Sequence, residues 1–284
     1  MRLTVRVPAT SANLGPGFDC FGLALELCND VEIDTERASG VTWSGEGAGE
    51  LPTDGSDLIR STMRRVAGDR TLPAFAMHGI NRIPLARGLG SSSAAVVAGS
   101  AAALILLGDD PSPARVFMHA ASIEGHPDNA APACFGGFTI AVPEGQATRL
   151  EPNADLRPML LVPDHLTMPT REARAAMADL VPRADAVYNV AHAALAVHAF
   201  TRDPSTLGMA LRDRLHQDAR LRLVPEAREV LEAVLDAGVP ACVSGAGPSV
   251  IAFPAAGQDV PDPGSRWRLV EVSVRRSGFE VERV

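Results

Sequence analysis

The sequence predicts an α+β fold, because strand patterns and helix patterns are mixed along the chain without strict alternation. The chain has 284 residues, enough for one large domain or two ordinary ones, and 46% of them are hydrophobic. No internal repeat of fixed period is present in the sequence. Since only 4% of the residues are aromatic, we expect a packed core made mainly of Ala, Val and Leu.

The first half of the chain is predicted to open with a strand, because residues 2–8 alternate and place Leu3, Val5 and Val7 on one face. Residues 35–56 are rich in Gly, Ser and Glu and are predicted to form hairpins and surface loop. Further strands are predicted at 31–33, 75–83 and 135–142, and helices at 57–67, 94–107 and 113–123.

A second region is predicted to begin near residue 150, which divides the chain into domains 1–150 and 151–284. Its predicted helices are 170–180, 184–200, 206–215 and 225–237, and its predicted strands are 158–162, 239–243, 250–253, 269–274 and 279–284. The Pro-, Gly- and Asp-rich stretch 254–265 is predicted to be a loop and not a linker between domains.

The composition favours a cytoplasmic protein that acts on a small molecule. All 26 basic residues are arginine and the formal net charge is -8, which argues against a nucleic-acid surface. The cysteines Cys20, Cys28, Cys134 and Cys242 form no C-x-x-C pair, so neither a zinc site nor a disulfide framework is indicated. The N-terminus has no apolar segment of secretory type, and the longest apolar run, residues 94–107, is too short for a comfortable membrane span.

The most informative segment is the loop P-L-A-R-G-L-G-S-S-S-A at residues 84–94. Gly88 and Gly90 let backbone N–H groups crowd toward an anion, and the following helix adds partial positive charge at its N-terminus. Serine hydroxyls can cap that helix, contact phosphate or bind a metal ion. Because the chain contains no lysine, this loop is neither a G-x-x-x-x-G-K-[ST] loop nor part of a protein-kinase site. If it binds a nucleotide, it belongs to a third kind of site.

Two clusters of polar side chains are further candidates. Asn13 and Asp19 lie in a glycine-punctuated loop after the first strand, where they could hold a small polar substrate or simply form a turn and a helix cap. The run E-G-H-P-D-N at residues 124–129 offers Glu124 as a Mg²⁺ ligand and His126 as a donor to a substrate. A structural histidine and an aspartate that caps a turn are the alternative interpretation of this run, and the clustering favours function.

Two other features could complete a site. The glycine turn S-G-A-G-P-S at residues 244–249 lies between two apolar strands and can approach a ligand closely. Any fork for a carboxylate or phosphate must be arginine in a chain without lysine, and one or two arginines are expected at the mouth of a pocket.

Four segments in this order resemble the signature motifs of the GHMP kinases, a family named for galactokinase, homoserine kinase, mevalonate kinase and phosphomevalonate kinase. The segments are P-A-T-S-A-N-L-G-P-G-F-D (8–19), P-L-A-R-G-L-G-S-S-S-A (84–94), E-G-H-P-D-N-A-A-P-A-C-F-G-G (124–137) and S-G-A-G-P-S (244–249). The first and third are most similar to the branch that phosphorylates L-homoserine. The resemblance implies an N-terminal domain with the ATP loop and a C-terminal ferredoxin-like α/β sandwich domain that completes the substrate site.

The resemblance also implies a reaction, in which ATP and L-homoserine give ADP and O-phospho-L-homoserine for threonine biosynthesis, with Mg²⁺. The implied ATP-binding residues are Pro84, Leu85, Ala86, Arg87, Gly88, Leu89, Gly90, Ser91, Ser92, Ser93 and Ala94. The implied substrate-binding residues are Asn13, Asp19, His126, Arg174, Arg220 and Gly247, with Asp19 on the ammonium group and the arginines on the carboxylate. The implied catalytic residues are Glu124, Asp128 and Asn129, and the implied metal ligands are Ser92 and Glu124.

The sequence leaves several points of this assignment open. Relatives often read P-Y-R where this chain has Asp218-Ala219-Arg220, and they tend to carry arginine near His192. The proton acceptor could be Asp128, His126 or a phosphate oxygen. The alternatives to a homoserine-phosphorylating enzyme are another GHMP kinase, such as a mevalonate-type enzyme, and a GHMP-fold binding protein without catalysis. A homodimer is compatible with the resemblance, and no nucleic-acid or membrane partner is expected.

Overall fold

The computed structural model describes residues 1–283. Its strands are β1 Arg2–Ala12, β2 Phe21–Asp34, β3 Gly40–Gly45, β4 Ala76–Asn81, β5 Phe138–Val142, β6 Gln146–Leu150, β7 Met159–Pro163, β8 Ala241–Val243, β9 Val250–Ala252, β10 Trp267–Glu271 and β11 Glu280–Arg283. Its α-helices are α1 Leu58–Ala67, α2 Ser91–Leu106, α3 Pro113–Glu124, α4 Ala130–Phe135, α5 Thr170–Ala175, α6 Arg183–Thr201, α7 Leu207–Ala210, α8 Gln217–Leu221 and α9 Pro225–Asp236. A short 3₁₀ helix, Pro204–Thr206, precedes α7.

The first sheet has seven strands in the order β11-β1-β2-β4-β3, with β5 beside β2 and β6 beside β5. The long strand β2 serves two partners, since its first part pairs with β5 and its last part with β4. All pairs are antiparallel except β3 with β4. Helices α2 and α4 pack against β1, and α1 and α3 pack against α2.

Helix α2 lies at the centre of this half. Its sequence, S-S-S-A-A-V-V-A-G-S-A-A-A-L-I-L, is small and apolar on almost every side, and the helix is buried along most of its length. A helix that is apolar all round is stable only inside a protein, where neighbours cover each face. This burial fixes the position of its N-terminus, where the serine-rich loop ends.

The second sheet has four antiparallel strands in the order β10-β7-β9-β8, and α9 packs on it. Phe138 of β5 and Phe200 of α6 stack at 4.9 Å between ring centroids, and Phe200 meets Phe253 edge-on at 5.4 Å. This aromatic contact joins the two halves, and β11 returns the C-terminus to the first sheet beside β1. The α+β class predicted from the sequence is confirmed, because helices and two mainly antiparallel sheets are mixed along the chain.

Several predicted elements need correction. The helix predicted at 170–180 ends at Ala175, and the one predicted at 206–215 ends at Ala210. The prediction of only hairpin and loop at 35–56 missed β3, and β6, α4 and α8 were not predicted. Of the strand predicted at 279–284, residues 280–283 form β11, and residue 284 lies outside the described residues.

These misses share a physical cause. The missed elements have between five and six residues, too few to display a period. Strand β3 pairs with β4, and its strand-forming run at residues 41–43 is only three residues long. Within residues 1–283, no helix combines the length and apolar character that crossing a bilayer requires.

Candidate active site

The loop before α2 is shaped by glycines that no other residue could replace without strain. Gly88 and Gly90 adopt φ values of +72° and +70°. A Cβ on Gly88 would overlap the carbonyl oxygen of Ser244, and a Cβ on Gly90 would overlap the hydroxyl of Thr10. Gly90 is the N-cap of α2, and no side chain caps that end. The first N–H groups of α2 are therefore available to an anion.

The glycine turn of residues 244–249 packs directly on this loop. The Ser244 hydroxyl donates to the carbonyl oxygen of Gly88 at 2.8 Å. The carbonyl oxygen of Gly245 accepts from Asn13 Nδ2 at 2.8 Å and from Arg220 at 2.8 Å. One turn thus joins the loop before α2, the loop after β1 and α8. Gly245 and Ala246 line the resulting cavity, whereas Gly247, predicted as a substrate contact, lies beneath Gly88.

The cavity at this junction has a volume of about 350 Å³. The predicted site residues on its wall are Asn13, Asp19, Ala86, Arg87, Gly88, Leu89, Gly90, Ser91, Ser92, Ser93, Glu124, His126, Asp128, Asn129, Arg174 and Arg220. A second cavity of about 290 Å³ adjoins it, shares the walls Ser91 and Ser92, and is more apolar. Leu85 and Ala94 line this second cavity, and Pro84 lines neither.

Arg87 lines the first cavity but is committed to the backbone. Its Nε, Nη1 and Nη2 atoms donate to the carbonyl oxygens of Pro163 at 2.6 Å, Leu85 at 2.7 Å and Asp164 at 2.6 Å. The side chain therefore ties the loop to the end of β7. A contact between this guanidinium and a phosphate would first have to break those hydrogen bonds.

Ser92 and Glu124 meet at the first turn of α2. The Ser92 hydroxyl donates to Glu124 Oε1 at 2.7 Å, and the Ser93 hydroxyl donates to Oε2 of the same carboxylate. Glu124 is the last residue of α3, so helix packing brings together residues more than thirty positions apart. A carboxylate beside a serine hydroxyl at the edge of an anion-binding loop is a set of oxygen ligands that suits Mg²⁺.

Asp19 and Arg174 form a bidentate ion pair across the cavity. Arg174 Nη1 lies 2.8 Å from Asp19 Oδ2, and Nη2 lies 2.6 Å from Oδ1. Both side chains keep about a third of their surface exposed, 35% for Arg174 and 33% for Asp19. The hydrogen bond to Asp19 raises the pKa of Arg174, which keeps that guanidinium charged. Arg174 Nε is buried and has no acceptor among residues 1–283.

Arg220 is the most buried cation of the site, with 2% of its surface exposed. Burial, and then the charge of Arg174, lower its pKa to about 10, so it stays protonated at neutral pH. The carbonyl oxygen of Gly245 accepts from its Nη1, while its Nε is buried without an acceptor in the described part of the chain. Two neighbouring guanidinium groups with unused donors are chemically suited to bind a carboxylate.

His126, Asp128 and Asn129 line the side of the cavity nearest α4. His126 Nδ1 lies 3.0 Å from Asp128 Oδ1, and this hydrogen bond raises the pKa of His126. Asn129 Oδ1 accepts from the Thr10 hydroxyl at 2.7 Å, so this amide links β1 to the segment between α3 and α4. On the opposite side, Asn13 Oδ1 accepts from the backbone N–H of Asp19 at 2.9 Å. That hydrogen bond is the local turn contact considered from the sequence, while the helix cap considered for Asp19 does not form, because no helix begins there.

Sequence reasoning missed several residues of the two cavities. Met168 from the segment before α5, Thr170 at the start of α5 and Leu58 from α1 line both cavities. They are held there by long-range packing, and nothing in their local sequence marks them. His216 lines neither cavity but contacts Arg220, and it was also missed, although the run D-R-L-H-Q-D-A-R at 213–220 places it four residues before the predicted Arg220. Its spacing of one helical turn is the signal that could have found it.

His216 is expected to make folding stability depend on pH. Burial lowers its pKa from 6.5 to about 4, so between those values the unfolded chain binds a proton that the folded chain does not. The free energy of unfolding should therefore fall as the pH falls through this window, by about 3 kcal/mol at its lower end. Urea unfolding between pH 4.5 and 7.5 measures the effect. Asn does not titrate, so the His216→Asn variant should lack this part of the slope, and parallel curves for the two proteins would contradict the assignment.

The chain is similar to known proteins over nearly its whole length. The model for the GHMP kinases N terminal domain matches residues 57–137, and the model for the GHMP kinases C terminal matches residues 191–262. The chain is 43% identical over 285 residues to a homoserine kinase of Clavibacter michiganensis subsp. michiganensis, covering 97% of this chain and 88% of that protein. It is 42% identical to a homoserine kinase of Cutibacterium acnes, covering 97% and 93%. The crystal structure of homoserine kinase from Cytophaga hutchinsonii superposes with a TM-score of 0.80 at 25% identity, covering 99% and 97%.

Proposed function

The chain belongs to the homoserine kinases of the GHMP family, and we infer that it transfers the terminal phosphoryl group of ATP to the hydroxyl of L-homoserine. One observation supports the site for this reaction above the others. A single cavity holds an aspartate, two arginines with unused donors and the uncapped N-terminus of a buried helix. These groups match an ammonium, a carboxylate and a phosphate.

The Asp19–Arg174 pair explains how an amino acid can be preferred over a simple hydroxy acid. An amino acid exchanges this ion pair for two others, with its ammonium on Asp19 and its carboxylate on Arg174 and Arg220. A substrate with only a carboxylate, such as mevalonate, takes Arg174 and leaves Asp19 without a partner. An unpaired, partly buried charge weakens binding, so the site discriminates against such substrates.

ATP fits the two adjoining cavities. We place its phosphates on the N–H groups of residues 88–93, beside Glu124, and its adenine in the more apolar cavity next to them. The helix N-terminus and backbone amides stabilise the phosphate charge without any lysine. Positioning and charge stabilisation of this kind supply most of the catalysis in phosphoryl transfer.

Mg²⁺ is part of the proposal. Among residues 1–283, no three His, Cys, Asp or Glu side chains converge as a metal site, so a cation here would rely on phosphate oxygens for most of its ligands. Ser92 and Glu124 would hold it, and it would neutralise charge on the phosphates. The same carboxylate also accepts from Ser93. Comparing Ser92→Ala with Ser93→Ala would identify which hydroxyl contacts the cation.

His126 is better suited to donate than to accept a proton in this arrangement. Its raised pKa favours the imidazolium form, whose Nδ1 donates to Asp128. We therefore assign His126 to binding the substrate, and leave Asp128 or a phosphate oxygen to take the proton of the hydroxyl. Asn129 supports the loop through Thr10.

The predicted division into domains 1–150 and 151–284 is kept as a proposal. Strand β6 ends at Leu150, and the second sheet is formed entirely by later residues. Strand β11 belongs to the second segment of the chain but pairs with β1. The second proposed domain therefore contributes a strand to the sheet of the first. We assign the reaction to the cytoplasm on the composition described above.

A coupled assay of ADP release tests the function. Homoserine, mevalonate, galactose and serine are compared, each with and without Mg²⁺. We expect turnover of homoserine alone, and only with the cation present. Turnover of mevalonate at a similar kcat/KM, or no ADP above background with any substrate, would contradict the proposal.

Replacing Gly88 with alanine should damage ATP binding. The new Cβ would overlap the Ser244 carbonyl oxygen, lie 2.9 Å from the backbone of Gly247 and require a φ of +72°. We expect KM for ATP to rise at least about tenfold and the free energy of unfolding to fall by about 2 kcal/mol or more. The control is Gly257→Ala, which has a φ of +77° but no atom within 4 Å of its Cβ. Equal effects of the two changes on KM would show that contact with Ser244 is irrelevant.

A further inference from the structure

We propose that His216 is a positioning residue, which holds the guanidinium of Arg220 in the orientation that receives the substrate's carboxylate. This inference rests on the proposed function, since it concerns how the same site grips an amino acid. His216 itself does not line the cavity. It acts through Arg220, one helical turn later in the chain.

The hydrogen bonds of His216 define its tautomer. Its Nε2 lies 2.7 Å from the carbonyl oxygen of Gly15, which can only accept, so Nε2 carries the proton. Its Nδ1 is then a lone-pair acceptor and lies 3.2 Å from Nη1 of Arg220. The same Nη1 donates to the carbonyl oxygen of Gly245. Two acceptors fix one end of the guanidinium, and its Nε is left buried without an acceptor in the described residues.

The surroundings keep the imidazole neutral and still. His216 is 1% exposed, and the ring of Phe18 stacks on it at 5.3 Å between centroids. The charged groups around it are Asp213, Arg220 and Asp19. Asp213 lies 3.8 Å from Nε2 but is already satisfied by other donors. Those donors are the backbone N–H groups of Leu215, His216 and Gln217 and the side chain of Asn189.

The contact with Gly15 extends the role beyond Arg220 alone. Gly15 lies in the loop that carries Asn13 and Asp19, so His216 connects the predicted ammonium site to the predicted carboxylate site. Phe18 of the same loop lies beside the guanidinium of Arg220, 5.2 Å from ring centroid to Cζ. A shift of His216 would change the separation between the two charges that an α-amino acid must span. Preorganised groups of this kind act on substrate binding more than on the chemical step.

A double-mutant cycle tests the proposal. The variants are His216→Gln, Arg220→Met and the double variant, each assayed for KM of homoserine, KM of ATP and kcat. Glutamine can reach Gly15 but offers no acceptor at the Nδ1 position. We expect His216→Gln to raise KM for homoserine about tenfold or more, as for loss of a hydrogen bond to a charged group, with KM for ATP unchanged. The double variant should be no worse than Arg220→Met alone, because His216 acts through that arginine.

His216→Asn provides the rescue, since its amide oxygen can occupy the position of Nδ1. It should restore KM for homoserine to within about threefold of the unaltered chain. It also carries the test if His216→Gln fails to fold, as judged by circular dichroism and urea unfolding. In that case the expected result is a KM for homoserine near that of the unaltered chain, and a KM raised as much as in Arg220→Met overturns the proposal.

The remaining outcomes separate this inference from the function it rests on. Additive effects of His216→Gln and Arg220→Met, or an equal rise in KM for ATP, would mean that His216 only packs the loop, and would overturn the positioning role. Turnover of homoserine by the unaltered chain would stand in either case. An unaltered chain that does not phosphorylate homoserine would overturn the proposed function and this inference with it.

Discussion

Replacing Glu124 with glutamine is expected to lower kcat about a thousandfold, or roughly 4 kcal/mol of transition-state stabilisation. Glutamine keeps the shape of the side chain and can still accept from Ser92, so the fold should survive. It removes the single negative charge that Ser92 and Ser93 surround at the first turn of α2. Glu124 is the one carboxylate assigned to Mg²⁺ in the proposed site, so the change would leave the cation without that ligand. Steady-state kinetics over a range of Mg²⁺ concentrations should show that Glu124→Gln needs more Mg²⁺ for half-maximal rate than the unaltered protein.

The matched control for this change is Glu232→Gln. Glu232 lies on the exposed face of α9, 3.8 Å from Arg228 and away from both cavities. Its kcat and Mg²⁺ dependence should match those of the unaltered protein, since exposed ion pairs contribute little. A Glu124→Gln protein with an unaltered Mg²⁺ dependence would remove this carboxylate from the metal site. Ser92→Ala and Ser93→Ala, compared in the same titration, identify which hydroxyl assists.

Replacing Asp19 with asparagine is expected to raise KM for homoserine about a hundredfold, because the ammonium group loses a charge-assisted partner. Asparagine has nearly the same shape, so the loop after β1 should keep its conformation. Arg174 also loses its bidentate partner, and its guanidinium then becomes more available to anions. KM for ATP should change little. Asp236→Asn, at the exposed C-terminal end of α9, is the control and should leave both constants unaltered.

The substrate offers a second half to this experiment. 4-Hydroxybutyrate has the carboxylate and the hydroxyl of homoserine but no ammonium group. If Asp19 binds the ammonium, the change to asparagine should cost nothing with 4-hydroxybutyrate and could improve it, since an unpaired carboxylate is removed. An equal loss with both compounds would show that Asp19 supports the loop and does not bind the ammonium.

The local features of the site were accessible from the sequence. The loop before α2 was predicted because its two glycines, its serines and the apolar run after them are all contiguous. The boundaries of α1, α3 and α9 were predicted to within about two residues, because each has several turns of regular spacing or a proline at its start. The start of α2 was placed three residues late, because the serines of its first turn were assigned to the loop.

The predictions that were wrong concern elements whose ends depend on tertiary contacts and not on local sequence. Helix α5 stops after six residues, although alanine continues the helical pattern to 176. Helix α7 also stops early, at Ala210, and the Asp213 carboxylate accepts the N–H groups that open α8. Intrinsic helix propensity is too weak to predict such endings, because tertiary contacts readily override it.

The directions of side chains in the site were likewise not predictable from local sequence. The resemblance assigned Gly247 to the substrate, and this contact stays a prediction; Gly247 lies against Gly88, while Gly245 and Ala246 of the same turn line the cavity. Arg87 was predicted to bind ATP, and its guanidinium is tied to three carbonyl oxygens. A motif specifies which residue types are present, whereas the direction of each side chain depends on what packs around it.

The amino-acid sequence by itself determined the α+β class, the glycine- and serine-rich loop before α2 in which we propose that phosphate binds, and the absence of any lysine to assist it. These properties depend on composition, on φ-permissive glycines and on the N-terminus of one helix, all of which are local. Only the tertiary structure decided that Asp19, Arg174 and Arg220 share one cavity, and that His216 stands behind Arg220. The reason is physical: these contacts join chain segments up to about two hundred residues apart, and their geometry exists only when the two sheets and their helices are packed together.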